Sequence, residues 1–530
     1  MKTDLDALRI CRFEEFRIAP LARIPMNSLP EVVSFEPLVF AGCEFSCIAA
    51  LRSRLPVKNL RLRVEGLSGC ACPVRQAVFP EQAALIPDLI DSDDRTVTAG
   101  GNTTLLFLLR FRLPPELIPG TYPVKVATES ATHRSEEHIF PIHVLERPQS
   151  EMKPERKITF WPHWETFCRH LNLKLWSEPF WEAAEAYLKE LANGGMNVIM
   201  VSLCHDPFRY PLPPEYGMFN RFPEMIRWEK DSHGKWKFDY KIFDRYVNLN
   251  LKLGIDHEIE CHSLLPCKEQ EPQLCWFESG RKMRREYRFG DTEHHEAWNA
   301  FLRDFHMHCR KRGWDHLLSV CPYDEPVDLE RFRRAAALIR ETMPGVKVTS
   351  AVTAQRAVEL SDVLDIATIH LEAGYDHADH EKLRATGVSL RWYNCCTPFW
   401  GNTLFGCELS DAYRIGWMTE NGNFEGFLRW SVIDWPDLLP EEPGFNWPTG
   451  DTFLLYPGKY GPRESLRWHA FKQGMHDLCL CSAYLHKPEV AIFIQKNGFP
   501  GAADRKASPG ELQQDLYRIL GKYTSVSAPL

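Results

Sequence analysis

The 530-residue sequence lacks the features that define several large protein classes. It has 63 Lys and Arg against 71 Asp and Glu, a net charge of −8 and no long basic run, so we expect no nucleic-acid partner, because phosphates require a clustered basic face. No apolar stretch approaches the roughly 18 residues of a membrane span, so no membrane partner is expected either. The first residues, MKTDLDALRICRFEEF, lack the apolar core of a signal peptide. This predicts a cytoplasmic protein, or a secreted one if a signal has been removed.

Motifs for metals, dinucleotides and disulfide scaffolds are also missing. The 17 cysteines are scattered, and without an export signal reduced thiols are the simpler expectation. The segments DHEIECH and DHADH have neither HExxH nor CxxC spacing, so no metal or other cofactor is expected. Aromatic residues are abundant instead, with 16 Trp, 16 Tyr and 31 Phe. At a cleft such rings are platforms for the apolar faces of sugars.

Three regions follow from the change in pattern along the chain. Residues 1–150 contain short β-rich segments separated by turn residues, which predicts an N-terminal β-sandwich of immunoglobulin or fibronectin type. A charged linker with two prolines, HVLERPQSEMKPERK, leads into residues 151–460, which predict a catalytic (β/α)8 barrel. Residues 461–530 predict a C-terminal helical extension that packs on the barrel, in which EVAIFIQK is expected as a strand and ELQQDLYRILGKY as the last helix.

The barrel prediction depends on the number of strands that alternate with helical patterns. The eight candidate strands span residues 157–164, 197–206, 256–265, 316–325, 347–352, 364–372, 388–395 and 426–435. A doubly wound open sheet is the alternative, but no GxGxxG follows a predicted strand to support it. Eight strands over about 280 residues is the count of a (β/α)8 barrel.

Polar and aromatic residues gather toward the carboxyl ends of these strands, which surround the active site in barrels of this kind. Strand 2 ends in His205 and Asp206, strand 6 in His370 and Glu372, and strand 1 contributes Trp161, His163 and Trp164. The predicted substrate-binding residues are His205, Glu260, His262, Tyr323, His370, Trp392, Asn394, Trp430 and Trp435. Acids, histidines and large rings at one mouth suit a carbohydrate.

Strand 4 ends in two adjacent acids, Asp324 and Glu325, followed by Pro326. A single acid at a strand end often caps the next helix. Two adjacent carboxylates must have their pKa values pushed apart, so one stays ionised while the other can hold a proton near neutral pH. That is the division required between an electrostatic stabiliser and an acid catalyst.

A glycosidase that uses its own nucleophile usually needs a second carboxylate about 5 Å from the acid, and strand 7 ends in WYNCC, without one. Sequence neighbours are poorly placed to reach both faces of one bond. This favours substrate-assisted catalysis, in which the 2-acetamido oxygen of the sugar attacks the anomeric carbon. Two alternatives stay open: a glycosidase for another sugar, with Glu325 as acid and Glu260 or Glu372 as nucleophile, and a carbohydrate-binding relative without activity.

The chain resembles glycoside hydrolase family 123 and its uncharacterised relatives, in CPYDEP (321–326), RWYNCCTP (391–398), EGFLRWSVIDWP (425–436) and GDTFLLYPGKYGPRESLRWHAFKQG (450–474). The resemblance implies a retaining, exo-acting β-N-acetylgalactosaminidase with a glycan or glycoconjugate substrate and an oxazolinium intermediate. It also implies Asp324 as the residue that orients the amide, Glu325 as general acid/base and Tyr393 as a second contact to the acetamido group.

Overall fold

The computed structural model describes residues 5–12, 35–79, 84–130, 137–148, 156–208, 222–267, 270–371, 377–398, 400–435, 450–498 and 507–524. The first ten strands form two five-stranded sheets, in the orders β1-β3-β8-β5-β6 and β2-β10-β9-β4-β7. Inward-facing apolar residues of both sheets pack together, as the predicted sandwich requires. The strands are β1 (Leu5–Arg12), β2 (Leu38–Phe40), β3 (Glu44–Ser53), β4 (Val57–Glu65), β5 (Gly69–Phe79), β6 (Ala84–Ile90), β7 (Val97–Ala99), β8 (Thr103–Arg112), β9 (Gly120–Glu129) and β10 (Glu137–Leu145).

The remaining strands are β11 (Lys157–Phe160), β12 (Val198–Ser202), β13 (Arg227–Lys230), β14 (Trp236–Asp239), β15 (Glu258–Leu265), β16 (Gln273–Glu278), β17 (Arg281–Glu286), β18 (Leu318–Tyr323), β19 (Lys347–Val352), β20 (Ile366–His370), β21 (Ser389–Asn394), β22 (Gly426–Arg429), β23 (Leu455–Tyr456) and β24 (Arg463–Glu464). A closed parallel barrel forms in the order β11-β12-β15-β18-β19-β20-β21-β22. These are the eight predicted strands, so the predicted barrel is confirmed.

Helices cover the outside of the barrel and form the C-terminal region. The α-helices are α1 (Trp164–His170), α2 (Glu178–Asn193), α3 (Lys241–Lys252), α4 (Thr292–Arg312), α5 (Leu329–Thr342), α6 (Ala354–Glu359), α7 (His377–Ala385), α8 (Leu409–Asn421), α9 (Leu466–Cys481), α10 (Pro488–Gly498) and α11 (Pro509–Gly521), with short 3₁₀ turns at Asp315–Leu317 and Ser482–Tyr484. The eight barrel strands are parallel, so their carboxyl ends all lie at the same end of the barrel, the mouth.

Two parts of the fold differ from the sequence prediction. A four-stranded sheet in the order β14-β13-β16-β17 extends from the loops after β12 and β15, where only connections were expected. The segment EVAIFIQK is helix α10 and not a strand. Its buried residues Val490, Phe493 and Ile494 follow helical spacing, while Ile492 between them is exposed, so the period of the pattern was read incorrectly.

The sandwich and the barrel meet along a buried polar contact that we call the seam, formed by β3, β6 and β8 against residues 455–477. Arg467 donates from Nε to Asp88 Oδ1 (3.2 Å) and from Nη2 to Asp88 Oδ2 (3.2 Å), and Tyr456 Oη donates to the same carboxylate at 2.7 Å. The third guanidinium nitrogen of Arg467 donates to the carbonyl oxygens of Thr403 (2.6 Å) and Phe453 (3.1 Å). The buried charges of the seam are therefore hydrogen-bonded on both sides.

Candidate active site

The two acids after β18 point in different directions although they are adjacent in sequence. Asp324 is 3% exposed, whereas the side chain of Glu325 is open to solvent. Glu325 has φ 45°, a left-handed conformation that costs about 1–3 kcal/mol outside glycine, and Pro326 after it disfavours helical conformations further. The Glu325 N–H donates to Ala351 O at 3.1 Å and holds the turn. A strained backbone thus sends one acid into the barrel and leaves the other at its surface.

The carboxyl group of Asp324 has no cation beside it in the part of the chain that is described. Its Oδ2 accepts a weak hydrogen bond from Cys267 Sγ at 3.8 Å, and its Oδ1 accepts none of normal geometry, although the Ala351 backbone faces the group. Burial raises the pKa of Asp324 well above its usual value, and the charges of Glu325 and Glu260 raise it further. The acid whose pKa is raised is therefore Asp324, whereas the family resemblance assigns the proton-donating role to Glu325.

Strand β21 brings a phenol to the acid pair. Tyr393 Oη donates to Glu325 Oε1 at 2.7 Å, and its ring lies 4.9 Å from the ring of His370. Burial, with the neighbouring Glu325 charge, raises the pKa of Tyr393 well above its usual value, so the group remains a hydrogen-bond donor. The residue that the resemblance implies as an acetamido contact lies beside Glu325 in this structure.

An ionic floor lies beneath the acids, inside the barrel. Alternate residues of β15 face inward, and Arg391 of β21 donates to both carboxylate oxygens of Glu258 and, at 3.5 Å, to Glu260 Oε2. His262 Nε2 lies 2.7 Å from Glu260 Oε1, and Ser319 Oγ donates to Glu258 at 2.7 Å. Burial opposes ionisation of Glu258, but the Arg391 guanidinium brings its pKa below the usual value. Glu260 and His262 therefore lie buried inside the barrel and paired with each other, and their contact with a substrate stays a prediction.

Apolar side chains surround the acids in a cluster that is separate from the main core, which we call the mouth cluster. Trp161 stacks on Phe208 with ring centroids 5.1 Å apart, and its ring meets His262 edge-on at 4.8 Å. The mouth cluster comprises Trp161, Met200, Phe208, Phe222, Cys267, Ala351, Tyr393, Leu428 and Trp430. Through Cys267 and Tyr393 the mouth cluster contacts Asp324 and Glu325, so aromatic rings and both carboxyl groups lie in one region of the barrel.

Four of the predicted binding residues point away from the mouth or pack in the main core. Trp392 points to the outer layer, where its Nε1 donates to Thr419 Oγ1 of α8 at 2.9 Å, because alternation on β21 sends it opposite to Tyr393. Trp435 donates to Leu455 O at 2.7 Å and packs in the main core. Asn394 is fully buried and donates to Gly401 O, and Tyr323 also packs in the main core. The structure does not bring these four to the mouth.

The remaining predicted residues lie at the rim or inside the mouth. Trp430 belongs to the mouth cluster, and its Nε1 donates to Asp451 Oδ1 at 3.2 Å. His205 Nδ1 lies 2.5 Å from Glu224 Oε2. Burial by itself would raise the pKa of Glu224, but His205 and Lys282 bring it down to about 2. His370 contacts Tyr393 as described above. Glu372, the alternative nucleophile, lies outside the described residues.

Three charged residues of the site region were missed by sequence reasoning. The sequence does contain a signal for Arg391. It lies two residues before Tyr393 on a buried parallel strand, so it shares the inward face with Tyr393, and a buried charge there requires a partner. Arg429 and Asp451 form a fully buried ion pair at 2.7 Å, and Arg429 also donates to Asn394 Oδ1 at 3.1 Å. Nothing in the sequence joins residues 429 and 451, because they are 22 positions apart and meet only in the tertiary structure.

No group of three or more His, Cys, Asp or Glu in the described ranges is arranged to hold a metal ion. None of the helices in those ranges is long and apolar enough to cross a membrane.

The fold and the mouth together define a (β/α)8-barrel protein with paired carboxyl groups at the carboxyl ends of its strands. The family model described as glycoside hydrolase 123, catalytic domain, matches residues 161–483, which is more than half of the chain. The chain therefore belongs to glycoside hydrolase family 123, and it is a glycoside hydrolase of that family with a glycan substrate.

Solved structures agree with the fold. A family 123 glycoside hydrolase from Clostridium perfringens matches with a TM-score of 0.80 and 19% identity, over 98% of this chain and 98% of that chain. A family 39 glycoside hydrolase from Bacteroides cellulosilyticus WH2 matches over 86% of this chain and 82% of that one, with 11% identity and a TM-score of 0.38, too low to carry an argument. No curated protein matches the chain.

Proposed function

We propose that the protein is a retaining, exo-acting β-N-acetylgalactosaminidase that works by substrate assistance. The observation that carries this proposal is the divergence of Asp324 and Glu325, one buried beside the Cys267 thiol and the other exposed beside Tyr393. In that arrangement one acid can reach the ring substituent of a sugar and the other its leaving group. Strand β21 supplies a phenol where a glycosidase with its own nucleophile would need a carboxylate.

The first step of the proposed reaction forms a ring on the substrate. The acetamido carbonyl oxygen attacks the anomeric carbon while Glu325 donates a proton to the glycosidic oxygen, whose bond to that carbon breaks. The acetamido N–H donates to Asp324, and the positive charge that develops on the oxazolinium favours the ionised form of this acid. Asp324 acts as a carboxylate, so no proton leaves it during this step. Burial disfavours this charge in the free protein, and the carboxylate therefore interacts more strongly with the cationic oxazolinium than with the neutral amide.

The second step reverses the first with water. Glu325 removes a proton from a water molecule, whose oxygen attacks the anomeric carbon as the oxazolinium ring opens. Two inversions leave the configuration retained. Tyr393, donating to Glu325 Oε1, orients this carboxyl group through both steps.

The ionic floor weighs against the alternative nucleophile Glu260. That residue is 3% exposed and is already held by Arg391 and His262, so an attack on a sugar would leave buried charges without partners. The clostridial enzyme is described in connection with the hydrolysis of glycolipid glycans, and such glycans are natural substrates to test here.

An aryl β-N-acetylgalactosaminide assay on wild type, Asp324→Asn and Glu325→Gln tests the proposal. We expect Glu325→Gln and Asp324→Asn each to lower kcat by about 10²–10⁴-fold, the usual contribution of a positioned acid or a charge-stabilising group. A thiazoline mimic of the oxazolinium should inhibit wild type. Turnover of sugars without the 2-acetamido group, unaffected by Asp324→Asn, would refute the mechanism, and binding without turnover of any sugar would indicate a non-catalytic relative.

A further inference from the structure

Two adjacent thiols lie at the rim of the mouth, directly after the catalytic strand β21. Cys395 Sγ is 3.7 Å from Cys396 Sγ and 3.5 Å from His370 Nε2. Both cysteines are partly exposed, and Cys395 packs against the mouth cluster. The proposed hydrolysis uses neither thiol.

The surrounding loop holds the two thiols in place. Asn402 Nδ2 donates to Cys395 O and to Pro398 O, each at 2.9 Å, and Asn394 Nδ2 donates to Gly401 O at 2.5 Å. The backbone on both sides of the pair is therefore anchored. The two sulfur atoms face the same side of the chain, which adjacent residues in an extended strand do not do.

We propose that Cys395 and Cys396 form a vicinal-dithiol site. Two-electron oxidants such as hydrogen peroxide oxidise the two thiols, trivalent arsenicals bind to them, and either event obstructs the mouth. An arsenical needs two sulfur atoms close together, and the 3.7 Å separation meets this need without a rearrangement of other elements. Soft, polarisable thiolate sulfur is the ligand type that such thiophilic centres prefer.

The electrostatic surroundings support attack by Cys395. The hydrogen bond from Cys396 lowers the pKa of Cys395, although burial opposes the shift, and the same contact raises the pKa of Cys396. The thiolate is the nucleophile in thiol oxidation, so Cys395 reacts first and Cys396 is the resolving thiol.

The oxidation balances with peroxide as the only co-reactant. Cys395 Sγ attacks one peroxide oxygen, the O–O bond breaks, and the departing hydroxide takes the thiol proton to become water. Cys396 Sγ then attacks the sulfenic sulfur, the S–O bond breaks, and the hydroxyl group leaves with the second thiol proton as water. Two thiols lose two electrons, and peroxide becomes two water molecules.

Occupation of the pair should affect the mouth through His370 and Tyr393. His370 contacts Cys395 on one side and the Tyr393 ring on the other, and Tyr393 donates to Glu325. A disulfide brings the two sulfur atoms to about 2.05 Å, and a bound phenylarsenical adds a bulky group beside them. Either change should move or cover His370 and, through it, Tyr393.

The experiment treats the full chain with peroxide, alkylates the remaining thiols and maps them by peptide mass. In wild type we expect the peptide that contains residues 395 and 396 to lose the mass of two hydrogens, to escape alkylation and to recover with dithiothreitol. In a Cys70→Ser background, which removes the Cys70–Cys72 thiol pair of the sandwich, phenylarsine oxide should bind at least about tenfold more tightly than it does when Cys396→Ser is added, because the second sulfur acts at high effective concentration. Both thiols alkylated after peroxide, or equal arsenical affinity in Cys396→Ser, would overturn the proposal.

A second pair provides the control. In the sandwich, the hydrogen bond from Cys72 lowers the pKa of Cys70 to about 6, so this pair is a second target for the same reagents, and it lies in strand β5, outside the barrel. Phenylarsine oxide should therefore reduce turnover at least about tenfold in wild type and in Cys70→Ser, but not in Cys396→Ser. Occupation of residues 395 and 396 with unchanged turnover would refute the effect on the mouth. The mass and affinity measurements need no turnover, so they test the thiol site even if the proposed hydrolysis fails.

Discussion

The buried acids at the seam and at the mouth differ in their hydrogen-bond and charge partners. Asp88 at the seam is enclosed by Arg467 and Tyr456, with hydrogen bonds to both of its carboxylate oxygens. Asp324 at the mouth is equally buried, yet its one hydrogen bond from a described side chain is the weak one from the Cys267 thiol. A buried carboxylate with a cation and hydrogen bonds can stay ionised, whereas one without them has a raised pKa, as functional sites often do.

The same contrast applies to the backbone. The residues on either side of the seam lie in strands and in helix α9, where the chain is regular. At the mouth, Glu325 adopts a left-handed conformation directly before a proline. Strain of this kind persists only where the surroundings enforce it, and it collects at functional sites.

The largest effect is expected from removing the buried ion pair at the seam. Arg467→Met leaves Asp88 buried without its cation, and we expect a loss of about 3–5 kcal/mol in the free energy of unfolding. Chemical denaturation measures it. The matched control is Arg61→Met, which removes an exposed pair with Glu129 and should cost less than about 1 kcal/mol. Similar losses for both variants would show that the seam pair contributes no more than a surface pair.

Tyr393→Phe removes the one hydrogen bond from a phenol to Glu325 and should lower kcat/KM about tenfold, which corresponds to about 1.4 kcal/mol. Steady-state kinetics on the aryl glycoside measures this. Tyr413→Phe is the control, because Tyr413 Oη also donates to a buried acid, Asp477, at 2.7 Å but away from the mouth. That control should lower stability and leave kcat/KM of the folded enzyme unchanged, and an unchanged kcat/KM in Tyr393→Phe would contradict the positioning role.

Asp324→Asn should increase stability at neutral pH although it lowers kcat. Because the folded-state pKa of Asp324 is raised, its contribution to stability is fully present below the unfolded pKa and is lost as pH rises through the folded pKa. Asparagine does not ionise, so we expect a gain of about 0.5–2 kcal/mol at neutral pH that disappears in acid.

Thermal unfolding across pH checks this prediction. At the seam, Asp88→Asn should instead reduce stability at neutral pH, because Asp88 is paired with Arg467. An Asp324→Asn variant less stable than wild type at every pH would show that the mouth acid is stabilised by its surroundings like the seam acid.

The smallest effect concerns the two faces of β21. Trp392→Phe should leave KM within about twofold, because its indole contacts Thr419 in the outer layer, and should cost about 1 kcal/mol of stability through the lost hydrogen bond. Trp430→Phe, inside the mouth cluster, should raise KM more. A larger KM change in Trp392→Phe than in Trp430→Phe would contradict the inward and outward assignment.

Most of the barrel could be predicted from sequence because buried parallel strands are short apolar runs between helical patterns. The same reasoning failed at α10, where an apolar segment had helical and not alternating burial. It also failed at Trp392 and Asn394, since proximity to a strand end does not say which face a side chain occupies. The added sheet of β13, β14, β16 and β17 was missed because its strands are only four to six residues long and β17 is exposed along its whole length, although Leu274 and Trp276 of β16 alternate as buried residues.

The sequence by itself determined the barrel, the sandwich and the position of the acid pair, because apolar periodicity and strand ends are local properties of the chain. Only the tertiary structure decided that Asp324 faces inward and Glu325 outward, since that depends on one left-handed residue held by Ala351 from the next strand. It also decided which buried acids are paired, because Arg467 and Asp88 are separated by 379 positions along the chain. Charge pairing over such distances leaves no local pattern to read.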